Sequence, residues 1–235
     1  MPEGAIWRSG QQGSTGTLGY ATFLRMGRLR TLTLLLALAT GCVVAPPPVP
    51  VPAEHSLSGL AAQHVAVLPT YIARIQPPLD WAIGRPAELQ RTLDAEIASA
   101  FDERGLKRQW IFPDQLSDGF KRNQPYATDP YALAEESLRA PTLAVDTRLP
   151  EPLASQIRTL VALYSDVRYV LAPVELRVEQ VKPKGGRGVL RAVLLDARAS
   201  NVRWVGDVPS DNLESFSPAL AASIAAHLAD VVVPR

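Results

Sequence analysis

The spacing of apolar residues changes along this chain, and each change marks an element. His64-Val-Ala-Val-Leu-Pro69 is a short apolar run stopped by a proline and predicts the first strand. A long loop carrying Pro77-Pro78 follows. Pro86 then suits the first turn of a helix whose Leu89, Leu93, Ile97 and Phe101 recur every four residues until Gly105 ends it. Gln109-Trp110-Ile111-Phe112 reads as a second short strand closed by Pro113, with a helical turn over Asp114 to Lys121. Asp129-Pro130 is an N-cap and first-turn pair and predicts a helix through Leu138. A short strand is expected over Thr142 to Val145, then a helix from Leu153 to Tyr164 through Leu153, Ile157, Leu160 and Val161.

Beyond Tyr169 the period shortens to two. Val174, Leu176 and Val178 fall on one face and Glu175, Arg177 and Glu179 on the other, the pattern of a half-exposed strand. Lys182 to Gly188 reads as a hairpin tip, followed by a strand over Val189 to Arg198, the turn Ala199-Ser200-Asn201, and a strand over Val202 to Val208 with Trp204 inward. Ser217-Pro218 should cap a last helix whose Leu220, Ile224, Leu228 and Val231 return to the helical period. The expected fold is an α/β (α+β) sandwich: a mixed sheet ending in an antiparallel three-stranded meander, helices packed against it, in one globular domain over residues 64–235.

The region before His64 follows other rules. From Met26 the chain reads Met-Gly-Arg-Leu-Arg, then an apolar run from Thr31 to Thr40, then Gly41-Cys42. A basic start, a short apolar run and small residues form the secretory pattern, and the run is shorter than the roughly 20 residues a bilayer crossing needs. A buried core helix is the rival reading, but Val43-Val44-Ala45-Pro46 would not continue one. Ala39-Thr40-Gly41-Cys42 resembles the lipobox of bacterial lipoproteins, with Ala39 where a leucine is usual. That resemblance implies a signal peptide over residues 26–41, acylation (palmitate) on Cys42, and a lipid-anchored protein in the cell envelope. Val43 stands where aspartate would imply inner-membrane retention, so the outer membrane facing the periplasm is the expected location. Residues 1–25 are expected to be an extension ahead of a true start at Met26. Residues 42–63 form the acylated cysteine and a linker, in which Pro46 to Pro52 makes a polyproline II spacer of roughly 3 Å per residue.

Composition and charge narrow the function. The chain has 235 residues, 47% hydrophobic, with 21 prolines of which five lie between Pro46 and Pro52, so the excess is local and the remainder is ordinary globular material. Removing residues 1–41 leaves 20 basic and 22 acidic residues, a balance that argues against nucleic acid as a partner. One cysteine allows neither a disulfide framework nor a cysteine zinc site. None of G-x-S-x-G, H-E-x-x-H or a P-loop is present. His55, His64 and His227 have no mutual metal-ligand spacing, and Asp80, Asp94, Glu96, Asp102 and Glu103 are read as solvated carboxylates. No metal, cofactor or catalytic residue is therefore assigned.

Val65-Ala66-Val67-Leu68-Pro69 and the pair Leu194-Leu195-Asp196-Ala197 with Val202-Arg203-Trp204-Val205-Gly206-Asp207-Val208 resemble the amino-terminal domain of TolB and the related domains of curli-secretion CsgG and penicillin-binding-protein activator lipoproteins. The resemblance implies a non-enzymatic domain that binds another envelope protein or assembles with copies of itself. Two surfaces are candidates for contact with a partner or an anion. One is the tip Lys182, Lys184 and Arg187 with its glycines; the other is the loop Tyr71 to Arg85 with Tyr71, Ile75 and Trp81. The alternative is an envelope hydrolase acting on cell-wall or lipid material, whose mark would be a concave pocket of convergent polar side chains.

Overall fold

The strand predicted by the two-residue period, β4 (Tyr169–Gln180), is the centre of the sheet. The computed structural model describes residues 57–75, 85–181 and 185–234, all within the unit Val49–Arg235. The expected signal peptide, Cys42, the proline spacer, Trp81, Lys182 and Lys184 lie outside the described residues. Along one edge of β4 run two short strands in parallel, β1 (Val65–Val67), with Val65 opposite Tyr169, and β2 (Ile72–Ile75), with Ile72 opposite Glu175. β3 (Trp110–Ile111) extends the sheet beyond β1, also in parallel. On the other side β5 (Gly186–Asp196) and β6 (Asn201–Pro209) continue it antiparallel, giving six strands among the described residues in the order β3-β1-β4-β5-β6, with β2 beside β4.

Among the described residues four α-helices cover this sheet: α1 (Pro86–Glu103), α2 (Pro113–Arg122), α3 (Leu153–Val161) and α4 (Ala219–Val232). The fold is the expected mixed α/β sandwich, with a hydrophobic core on each face of the sheet. On one face Leu93, Ile97 and Phe101 of α1 and Leu220, Ile224 and Leu228 of α4 pack on Val65, Val67, Leu171, Leu176 and Leu190. Each such fully buried side chain contributes about 1.5–3 kcal/mol. On the other face Leu116 of α2 and Leu153, Ile157 and Leu160 of α3 pack on Ala66, Leu68, Val170, Val193 and Leu195. Trp110 belongs to the first core, 1% exposed, with its ring centroid 4.6 Å from that of Phe101. Arg104 at the end of α1 is ion-paired with Asp230 of α4. Among the described residues no helix is long and apolar enough to cross a membrane.

Several expectations need correction. Val174 does not share a face with Leu176 and Val178, because a bulge between Pro173 and Glu175 flips the alternation: Val174 faces the second core, Leu176 and Val178 the first. The loop after Pro69 is not irregular throughout, since Ile72–Ile75 is paired as β2. Asp129 to Leu138 is not an α-helix; it is a turn followed by a 3-10 helix over Glu135–Arg139. Asp129 Oδ1 does accept from the Tyr131 amide at 2.9 Å, as a cap would, but the Ala134 amide is taken by Gln156 Oε1 at 2.9 Å, and this tertiary bond interrupts the helical ladder. Thr142 to Val145 forms turns, not a strand. Ser217 does not cap α4 with its side chain; Pro218 occupies the N-cap position. The strand after the hairpin resumes at Gly186, so Arg187 and Gly188 lie inside β5. The core also starts earlier than His64, taking in Leu57 and Leu60 at 3% and 6% exposure.

Candidate functional site

Among the described residues a concavity is built where β1 stops and β2 starts. Between them Leu68 N–H donates to Leu171 O at 2.9 Å and Tyr71 N–H to Pro173 O at 3.1 Å, so Pro69 and Thr70 bow away from the sheet edge. The backbone groups freed by this break are met by one face of α1. Asp94 Oδ1 accepts from both the Thr70 amide and the Thr70 hydroxyl, each at 2.7 Å. Gln90, one turn earlier, donates from Nε2 to Tyr71 O at 2.6 Å and to Thr70 O at 3.1 Å. Two polar residues at i and i+4 beside the apolar stripe thus clamp the strand break.

Above this clamp lies a cleft of about 410 Å³ whose walls include Tyr71, Gln90, Arg91, Asp94, Tyr131 and Glu135. A second depression of about 170 Å³ shares Arg91, Asp94 and Tyr131 and extends to Phe112 and Asp114. Together they form a groove along α1, rimmed by Tyr131 at 51% exposure. Tyr71 is held upright: its hydroxyl donates to Glu136 Oε1 at 2.6 Å, and the Arg139 guanidinium sits 5.4 Å from its ring centroid. The 3-10 helix carrying Glu135 is anchored from behind by Arg191, whose Nη2 donates to Ala140 O at 2.9 Å.

Two carboxyls of this groove are buried without a basic partner. Asp94 is 8% exposed; burial pushes its carboxyl up to about 6, against the opposing pull of the Thr70 hydrogen bonds. Glu135 is 1% exposed and burial, aided by the charges of Glu136 and Asp94, pushes it up to about 8. Its Oε2 is buried with no hydrogen-bond partner. The Tyr131 hydroxyl is raised by burial and by Asp94, Asp114 and Asp129, with Arg91 opposing them. The Tyr71 hydroxyl is raised, chiefly by its bond to Glu136. Its burial in an acidic surrounding thus favours the protonated form of Glu135.

Of the candidate contact residues that are described, Tyr71 joins this groove, and it is half-buried and fixed. Arg187 points elsewhere: it is ion-paired with Glu179 across the β4–β5 ladder, Nη2 to Oε1 at 2.7 Å. It belongs to a run of paired charges with Arg177–Asp207 at 2.7 Å and Arg74–Glu175 at 3.5 Å. Gly188 does not open a path for a ligand. A Cβ there would lie 2.7 Å from Ile224 Cδ1, so glycine lets α4 pack on β5. Gly206 is a second case, since a Cβ on it would fall into the Trp204 ring folded over it. Asp94 is the site residue whose solvated reading the structure overturns; Glu135 carried no periodic signal at all. His227 Nδ1 lies 2.6 Å from the Pro209 carbonyl, His64 is exposed, and among the described residues no group of three or more His, Cys, Asp or Glu side chains is placed to hold a metal.

No family model matches the chain, and comparison with curated proteins finds no match. Solved structures give weak likenesses. The PelC dodecamer from Paraburkholderia phytofirmans aligns at 12% identity and a TM-score of 0.36, over 73% of this chain and 88% of that one. The NMR structure of E. coli LpoB aligns at 12% identity and a TM-score of 0.34, over 90% and 94%. The LpoB C-terminal domain from Salmonella enterica aligns at 15% identity and a TM-score of 0.32, over 65% and 93%. Likenesses at this level transfer neither partner nor activity.

Proposed function

We propose that this chain is a lipid-anchored protein of the bacterial envelope, held by Cys42 in the outer membrane facing the periplasm, whose α/β unit binds another envelope protein or a second copy of itself without catalysing a reaction. The membrane part of the reading rests on the Thr31 to Cys42 pattern and the spacer behind it. The observation that carries the binding part is the groove along α1, where a rigidly held Tyr71 and a half-exposed Tyr131 flank buried polar groups. Aromatic residues held rigid beside a partly desolvated groove are what an interface uses as anchors. Asp94, buried in the groove wall, is engaged with Thr70 in supporting the fold.

The test has two parts. Metabolic labelling with a palmitate analogue and membrane fractionation should show a labelled, membrane-bound protein, and Cys42→Ala should lose the label and become soluble. In-cell crosslinking with Cys42 intact, followed by mass spectrometry, should then recover one reproducible envelope protein or a homo-oligomer. Recovery of monomer alone across growth conditions would sink the binding reading.

One observation favours the alternative of an envelope hydrolase: a glutamic acid pushed up to about 8 beside a second carboxyl can donate a proton at neutral pH. Release of soluble fragments from purified cell-wall sacculi by the wild type, abolished by Glu135→Gln, would establish that reading instead.

A further inference from the structure

The groove has a charge balance and a rim that select one kind of occupant, provided that the unit binds another envelope protein as argued above. We propose that the groove receives a basic side chain, lysine or arginine, presented by that partner, with its cationic head at Glu135 and its stem against Tyr71 and Tyr131.

The first support is Glu135 itself. It is 1% exposed on the wall of the cleft, and its Oε2 has no hydrogen-bond partner within the protein. A buried carboxyl in a folded protein is ordinarily answered by a cation or by several donors. Neither nearby cation is ion-paired with it: Arg139 lies over the Tyr71 ring, with its own Nε buried and without a hydrogen-bond partner, and Arg91, on the groove wall, donates from Nε to Ala87 O at 3.2 Å. The second support is the field in the groove. Asp94, Asp114 and Asp129 act together on the Tyr131 hydroxyl, and Arg91 alone opposes them. The third is the rim, since two tyrosine rings beside a carboxyl combine cation–π attraction with charge pairing. A lysyl or arginyl chain, apolar along its stem and charged at its end, matches that arrangement better than an anion or a compact metal ion.

The arrangement makes binding depend on pH. The groups acting on Glu135 are Glu136 and Asp94, with Tyr71 near it under the Arg139 guanidinium; those acting on Asp94 are Thr70 and Asp114, with Tyr131 and Arg91 beside it on the groove wall. A cation stabilises the ionised forms, so its arrival drives protons off Asp94 and Glu135. Affinity therefore rises as pH increases from 6 to 8.5.

The acylated protein in detergent micelles should be titrated with a fluorescent peptide of alternating serine and arginine, and with its counterpart in which citrulline replaces arginine at each position. The arginine peptide should bind at least ~10-fold more tightly, about 1.4 kcal/mol. Glu135→Gln, which keeps the shape of the protonated side chain, should remove most of that preference and flatten the pH profile, while Glu103→Gln, at the exposed end of α1, should leave both unchanged. Equal binding of the citrulline peptide, or a folded Glu135→Gln protein that binds as the wild type does, overturns the proposal. So does Glu135-dependent retention of the protein on purified cell-wall sacculi in place of peptide binding. In cells, a crosslinked partner recovered equally by wild type and Glu135→Gln overturns the proposal but leaves the protein-binding reading intact, whereas recovery of no partner removes the reading itself.

Discussion

Asp94 and Asp196 are both buried, at 8% and 1% exposure, and both support an irregularity in a strand. Asp196, at the end of β5, accepts from Arg168 Nε at 2.9 Å and Nη2 at 2.6 Å, and from the turn amides of Arg198 and Ala199 at 3.0 Å. Burial alone would push this carboxyl up, but Arg168 and the turn amides outweigh it and hold it below the usual carboxylate range. Asp94 holds the break between β1 and β2 with donors from Thr70 alone, and burial wins. The same side chain is therefore a stable anion where a guanidinium answers it and a strained one where only neutral donors do. The first arrangement is complete within the protein; the second leaves a buried carboxyl with no cationic partner, the feature on which the proposal for the groove at Asp94 and Glu135 rests.

The comparison can be broken by substitution. Asp196→Ala should cost the most, about 2–4 kcal/mol in chemical denaturation at pH 7, because it removes charge-assisted bonds and two turn amides' acceptor together. Asp94→Ala should cost less, about 1 kcal/mol, since the lost Thr70 bonds are partly offset by relief of a buried charge. A loss at Asp94 equal to that at Asp196 would show that the two sites do not differ as described.

Acid and base sharpen the contrast further. An acid whose folded pKa is raised is stabilising while protonated, so Asp94 withdraws stability as pH rises from about 4 to about 6, and Glu135 continues the decline toward about 8. Thermal melts should therefore fall over that range, with Asp94→Asn flattening the lower part and Glu135→Gln the upper. Asp196 has the opposite sign, with its contribution present above the unfolded aspartate pKa and lost as pH falls through its lower folded value. The smallest effect is spectroscopic: in Arg168→Gln, an NMR titration should show the Asp196 carboxyl moving upward toward the behaviour of Asp94.

Strong periods were enough to place α1, α4 and the β4–β6 meander, because each carries its apolar stripe over several turns or several strand residues. β2 escaped notice because Ile72-Ala73-Arg74-Ile75 is short and sits between Pro69 and Pro77. The Asp129 to Leu138 segment had helical capping signals that a single long-range bond, Gln156 to Ala134, overrode. Within the groove, Tyr71 was visible as an aromatic on a loop, but Asp94 was not, because helical spacing separates apolar from polar positions and cannot say that a polar one is covered by a strand break. The signal that could have found it is the Gln90–Asp94 pair one turn apart beside the apolar stripe. Glu135 had no such marker, since its burial comes from a turn whose position depends on Gln156 and Arg191, far away in sequence. Asp196-Ala197 and Trp204-Val205-Gly206, read as family-like motifs, have structural reasons: Asp196 supports the turn, and Gly206 makes room for the Trp204 ring.

The clamp at the strand break has a consequence for hydrogen exchange. The amides of Leu68 and Tyr71 are held by carbonyls of β4, whereas that of Thr70 is held by the Asp94 carboxyl. Exchange of the Thr70 amide with deuterium therefore reads the protonation of a side chain as well as the opening of the sheet. After correction for the intrinsic dependence on hydroxide, its protection should change through pH 6 while that of Leu68 stays level, and a cation seated in the groove should shift that change to lower pH.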